Sequence, residues 1–114
     1  MRDNVKGGAL TEVSFFVLLA TWEPRHGYGI MQFIESETNG RLRLGAGTLY
    51  GAIASLEKKG WIAQVESAQD KKLYQITKEG EKVAEAEKER LRSVIASAER
   101  IMEGLCVNTD TFGE

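Results

Sequence analysis

The chain has 114 residues, 42% hydrophobic and 28% charged, the profile of one globular domain with a modest core; a second independent domain does not fit that length. Fifteen Lys/Arg against seventeen Asp/Glu leave a formal net charge of −2, which excludes a uniformly basic nucleic-acid coat but not a local basic patch. The balance shifts along the chain, with ten basic and nine acidic residues in 1–80 against five and eight in 81–114.

The single cysteine, Cys106, forms neither an intrachain disulfide nor a multi-thiolate metal site, so a reducing compartment is the easier home. The longest apolar run, Phe15 to Ala20, spans six residues and falls far short of the roughly 20 that cross a bilayer. Arg2 and Lys6 precede it, but Glu12 interrupts the approach and no small-x-small cleavage site follows. The expectation is a cytoplasmic protein with no membrane partner.

The first helix is predicted over about Leu10 to Trp22. Leu10, Val13, Phe16, Val17 and Ala20 hold helical spacing, and Phe15, Leu18 and Leu19 widen the stripe until the helix is apolar nearly all round, as suits a central position. Pro24, the only proline, breaks it. A second helix, about Tyr28 to Thr38, turns Ile30, Met31, Phe33 and Ile34 inward, and Asn39-Gly40 stops it.

A connector carrying Arg41 and Arg43 leads to the third helix, about Ala46 to Lys59. It places Leu49, Ala52, Ile53 and Leu56 on one side at i, i+3, i+4 and i+7. The opposite side, Thr48, Gly51, Ser55 and Lys58, is small and polar, as a helix needs if its outer face is to approach another large surface closely.

After Gly60 the period changes to two. Trp61 to Glu66 and Lys72 to Ile76 read as strands joined by the polar turn Ser67 to Lys71, which together form a hairpin. Thr77 is a fitting N-cap for a final helix that runs to about Glu103, with Gly80 a weak spot and Gly104 a natural stop.

In that helix Ala84, Leu91, Ala98 and Leu105 lie seven residues apart, as do Val94 with Ile101 and Ile95 with Met102, a coiled-coil-like seam in the second half. The first half, Glu81 to Arg92, is mostly charged and expected to be solvated. No hydrophobic partner for the seam remains in the chain. A homodimer through Leu91, Val94, Ile95, Ala98, Ile101 and Met102 is the expectation, the alternative being that the helix packs back on its own domain.

Three helices, a two-stranded wing and a long helix make the fold class mainly α, a winged helix-turn-helix plus a long C-terminal helix. The third helix is then the element shaped for a major groove. The segments His26-Gly27-Tyr28-Gly29-Ile30, Gly47-Thr48-Leu49-Tyr50, Leu56-Glu57-Lys58-Lys59-Gly60-Trp61-Ile62 and Tyr74-Gln75-Ile76-Thr77-Lys78-Glu79-Gly80 resemble, in order and spacing, the signature blocks of PadR-type transcriptional regulators. The match spans about residues 9 to 103. The resemblance implies a homodimeric, ligand-responsive repressor of double-stranded DNA, with residues 1–80 as the DNA-binding domain, 81–105 as the dimerisation helix and 106–114 as a disordered tail.

Carried over by position, Tyr28, Thr48, Leu49 and Tyr50 face or support the DNA, and Lys71 and Lys72 of the wing reach phosphates. Arg43, Ser55 and Lys58 complete the set. These hydroxyls and cations suit phosphate positioning more than base readout; Tyr28 and Tyr50 equally fit packing roles, and Leu49 is first a core residue. Relatives carry basic residues where Ala54 and Ser55 stand, and a longer Gly/Arg-rich wing where Gln69-Asp70-Lys71-Lys72 stands. Weaker non-specific binding with a shallow salt dependence is therefore expected.

Multidrug sensors of this family hold flat ligands with a tryptophan of the C-terminal helix. Here the two tryptophans are Trp22 and Trp61, which leaves a small hydrophobic effector to a cavity that Phe15, Phe16 and Met102 would line between the first helix and the partner's last helix.

No enzyme is expected. Gly45 to Gly51 is not followed by the Lys-Ser/Thr of a phosphate loop, Gly27-x-Gly29 has no third glycine, and the sole histidine, His26, has no triad or metal partners and reads as a capping or turn residue. No cofactor is implied. The competing function is a winged-helix protein-interaction adaptor without specific DNA binding.

Overall fold

The computed structural model describes residues 8–66 and 71–112, with side chains as far as residue 104. Helices α1 (Glu12–Ala20), α2 (Gly27–Glu37) and α3 (Ala46–Lys58) precede strands β1 (Ile62–Val65) and β2 (Leu73–Ile76), and α4 (Lys78–Phe112) closes the chain. The winged helix-turn-helix with a long last helix is therefore present.

Local chemistry sets most boundaries. Thr11 caps α1 by accepting from the Ser14 amide at 3.1 Å. Thr21 ends the helix, its hydroxyl donating back to Val17 O and Leu18 O. α2 stops at a pair of left-handed residues, Asn39 (φ 52°) and Gly40 (φ 79°), where the Gly40 amide reaches back to Glu35 O at 2.8 Å. Gly60 (φ 81°) ends α3 the same way, with Trp61 N donating to Leu56 O.

α1 is the hub, packed against α2, α3 and α4. Val17 and Leu18 meet Ile30 and Ile34 of α2 and the Leu49, Ala52, Ile53 and Leu56 face of α3, all within one buried cluster. These are the inward residues that helical spacing selects for α3.

The wing pairs antiparallel, with Ile62 opposite Ile76 and Val65 opposite Leu73. Its tip, residues 67–70, lies outside the described residues, so the expected turn is described only at Lys71. The segment before α2, which reads in sequence as a plain break, pairs with the other edge of β2: Arg25 and Tyr74 exchange both backbone hydrogen bonds at 3.1 and 2.9 Å. Ile76 N adds a bond to Thr21 O at 2.8 Å.

The start of α4 is bolted to the end of α3. Thr77 caps the helix through Gly80 N, donates its hydroxyl to Gly60 O at 2.7 Å and bonds Trp61 O through its amide. Gly80 is required by this approach, because a Cβ there would lie 2.1 Å from Trp61 O and 2.8 Å from Ile76 Cγ1.

Two expectations about α4 change. Its charged first half is not all solvated: Ala84 and Glu87 are buried, each 3% exposed, and Glu87 accepts two hydrogen bonds from Arg90 at 2.9 and 2.7 Å. A carboxylate tolerates that burial because a bidentate guanidinium satisfies it. The helical backbone also continues through Gly104, where a stop is expected, to Phe112. Gly104 lacks the left-handed conformation that ends a helix at glycine, and a lone interior glycine costs only about 1 kcal/mol.

Replacing Gly80 by Ala is expected to lower stability by about 1–3 kcal/mol through overpacking against Trp61, read as a fall in urea midpoint at unchanged m-value.

Candidate nucleic-acid interface

The outer face of α3 is built from Ala46, Gly47, Thr48, Gly51, Ala54 and Lys58, all exposed, with Ser55 half-buried at its margin. Nothing lies within 4 Å of where a Cβ would stand on Gly45, Gly47 or Gly51. None of the three has a positive φ. Packing within the chain therefore gives no reason for glycine, and glycine inside a helix sacrifices roughly 1 kcal/mol relative to alanine. Such a face is smooth and low, and a large external surface can come close to its backbone.

Beside it lies an open cleft of about 540 Å³, lined by His26, Gly27, Tyr28, Gly29, Gln32, Tyr50, Lys71, Lys72 and Tyr74. Three elements meet there. The Arg25–Tyr74 pairing sets the first turn of α2 against β2, and His26 extends the contact through its ring Nδ1, 3.2 Å from Lys72 O. Tyr50 of α3 lies over the same turn, so close that a Cβ on Gly27 would stand 2.2 Å from its hydroxyl. Among the described residues the lining includes two lysines and no acidic side chain. His26 is the N-cap of α2 yet makes no side-chain cap bond, so the positive end of the helix dipole adds to the field of the lysines.

The named site residues divide sharply. Tyr28 is 66% exposed and Tyr50 48%, and both line the cleft with Lys71 and Lys72; Tyr50 thus packs on Gly27 and still presents its ring. Leu49 is fully buried, so its part is to seat α3 rather than to touch a ligand. Thr48, Ser55 and Lys58 lie on the outer face of α3.

Arg43 is exposed but ion-paired with Glu35 at 3.5 Å, and Arg41 is held by Glu12. That guanidinium holds the Glu12 carboxyl below its ordinary range through their hydrogen bond. Arg25 is half-buried, donates to Ala20 O at 2.7 Å and stacks on Phe33. Lys58, Lys71 and Lys72 have no ion pair among the described residues, which leaves cationic side chains at the cleft and the end of α3.

Sequence reasoning missed Gln32 as part of the cleft, assigned Gly27 and Tyr74 only to motifs, and read His26 as a capping or turn residue. Tyr74 is buried, and burial, followed by the Glu57 and Tyr50 neighbours, pushes its phenol up. The signal for all four is the cross-element pairing at Arg25, which no local spacing reports.

In α4, Leu91 is half-buried, while Val94, Ile95, Ala98, Ile101 and Met102 are exposed. A groove of about 330 Å³ between α1 and α4 is lined by Leu10, Glu12, Phe15, Phe16, Glu87, Arg90 and Leu91. Phe15 and Phe16 thus reach the groove, and Met102 lies outside it. No helix among the described residues is long and apolar enough to cross a membrane, and they hold no group of three or more metal-ligating side chains.

Residues 16–86 match the model of the PadR-like family of transcriptional regulators. Among solved structures, a transcriptional regulator from Clostridium thermocellum is 28% identical over 77% of this chain and 87% of its own, with a TM-score of 0.68. A PadR family transcription regulator from Clostridium difficile is 20% identical over 81% and 99%, TM-score 0.69. A PadR-like transcription factor from Bacteroides fragilis is 25% identical over 78% and 87%, TM-score 0.63. No protein of curated function matches the chain.

Because Gly51 is helical and open, Gly51→Ala is expected to raise the stability of the free protein by about 0.5–1 kcal/mol, measured by thermal unfolding; a loss would show that the chain itself needs the glycine.

Proposed function

The chain belongs to the PadR-like family of transcriptional regulators, and on that premise we propose that it acts as a homodimeric repressor that lays α3 in the major groove of double-stranded DNA. The observation that carries this reading is the outer face of α3, whose glycines serve no packing inside the chain. Thr48, Ser55 and Lys58 meet the duplex from that face. Tyr28, Tyr50, Lys71 and Lys72 fix the register on backbone phosphates from the cleft. Arg43 joins them when the duplex displaces Glu35, since an exposed ion pair of this kind is weak.

Residues 1–80 form the DNA-binding unit and 81–105 the dimerisation helix, whose first turns also wall the domain through Ala84 and Glu87. The exposed apolar row from Val94 to Met102 is covered in this reading by the same row of a second copy. Two α3 helices then stand roughly 34 Å apart, one turn of DNA. The α1/α4 groove, with Phe15 and Phe16 in its wall and the Glu87–Arg90 pair at one side, takes a small hydrophobic effector. A cytoplasmic location accords with this role.

Few cations line the outer face of α3 and the cleft, so the salt dependence is expected to be shallow. Fluorescence anisotropy on DNA from upstream of the chain's own gene should show preference over scrambled DNA that survives near-physiological salt. The slope should correspond to fewer than about eight neutralised phosphates per dimer. Equal, weak binding to both duplexes, erased by salt, would favour the adaptor reading instead.

A further inference from the structure

The cleft contains an ionisable ring that the DNA reading has not used. His26 lies between the first turn of α2 and the wing, partly exposed, in the wall that also carries Tyr28, Tyr50 and Lys72. Its Nδ1 is 3.2 Å from Lys72 O. A carbonyl oxygen only accepts, so Nδ1 carries the hydrogen and donates it. In the neutral ring that leaves Nε2 with a lone pair, and Nε2 has no partner among the described residues. The lone pair repels a phosphate oxygen; a protonated Nε2 donates to it.

We infer that His26 is a ligand for a DNA backbone phosphate seated in this cleft, and that the chain takes up a proton at Nε2 when it binds the duplex. The inference rests on the DNA reading above and adds to it a residue and a linked equilibrium.

The surroundings support the assignment. Lys71 and Lys72 from the wing side, Tyr28 from α2, Tyr50 from α3 and Tyr74 from β2 line the cleft with it. Glu23, the nearest acid in sequence, lies 3.9 Å from Arg25, whose side chain also binds Ala20 O and Phe33; Glu23 is not part of the lining. Between pH 6 and 8 a lysine stays charged and a phenol neutral, whereas imidazole changes charge in that interval. A phosphate in the cleft supplies an acceptor for the new N–H and an anion to offset the charge it brings. DNA and proton therefore favour each other's binding, as linkage requires.

His26 is the only histidine in the chain, so its imidazole resonances can be followed without ambiguity. Titrated by NMR with and without a duplex from upstream of the gene, the midpoint should rise by about one pH unit on DNA binding. That is equivalent to about tenfold tighter binding per cleft on the acid side of the titration than on the alkaline side.

Anisotropy at pH 6 and pH 8, at constant ionic strength, should show tighter binding at pH 6, compounded over the two clefts of the dimer, and His26→Asn should abolish it. The asparagine amide keeps a donor near the position of Nδ1 and does not titrate, so the wing contact is retained. If the variant unfolds, the wild-type NMR titration still decides. An unmoved midpoint, or the same pH dependence in wild type and His26→Asn, overturns the inference and leaves the DNA reading standing. No binding at either pH overturns both.

Discussion

The short pairing between Arg25 and Tyr74 organises the working surface of this molecule. Two backbone hydrogen bonds convert the break after α1 into a third line of the wing, and they do so two residues before α2 begins. Everything at the cleft follows from that juxtaposition. His26 reaches Lys72 O, Gly27 slides under Tyr50, and Lys71 and Lys72 come to stand at the positive end of a helix dipole. Thr21, which bonds Ile76 through its carbonyl, anchors the same edge from the end of α1. The wing is thus held by main-chain bonds from the α1–α2 connection, with the His26 ring adding one side-chain bond to Lys72 O.

α3 shows how a single helix divides its labour. One side is a fully buried row that seats the helix on α1; the other is low and open. Glycines at 47 and 51 weaken a helix that its inner row then has to hold in place. The arrangement makes sense when the outer side is read as a contact surface rather than as solvent-facing filler. Charge is arranged with similar economy: Arg41 and Arg43 are matched by Glu12 and Glu35, while the lysines beside the cleft have no ion pair among the described residues. A chain of net charge −2 can therefore present a positive patch.

Much of the fold is legible in the sequence because its signals are local. The i, i+3, i+4, i+7 row from Leu49 to Leu56, the Asn39-Gly40 stop, the Thr77 cap and the period-two strands all lie within one or two turns of chain, and the structure shows each of them. The exposure of Val94 to Met102 is equally readable from heptad spacing. What the sequence hides is non-local. Gly80 looks like a flaw in a helix until Trp61 O is found against it. Glu87 looks solvated until α4 is laid on α1, where Arg90 one turn on satisfies it. Tyr28 and Tyr50 are recognisable as a pair of hydroxyls, yet only the Arg25–Tyr74 pairing brings His26, Gln32 and Tyr74 to the same cleft.

The central claim is that α3 and the wing cleft meet DNA together, once per protomer of a symmetric pair. Hydroxyl-radical footprinting of the full chain on DNA from upstream of its own gene tests this most directly. The account predicts two protected backbone windows on one face of the duplex, centred about 10–11 base pairs apart, as two major-groove helices require. Cleavage that stays uniform along the duplex at protein concentrations that saturate binding would contradict it.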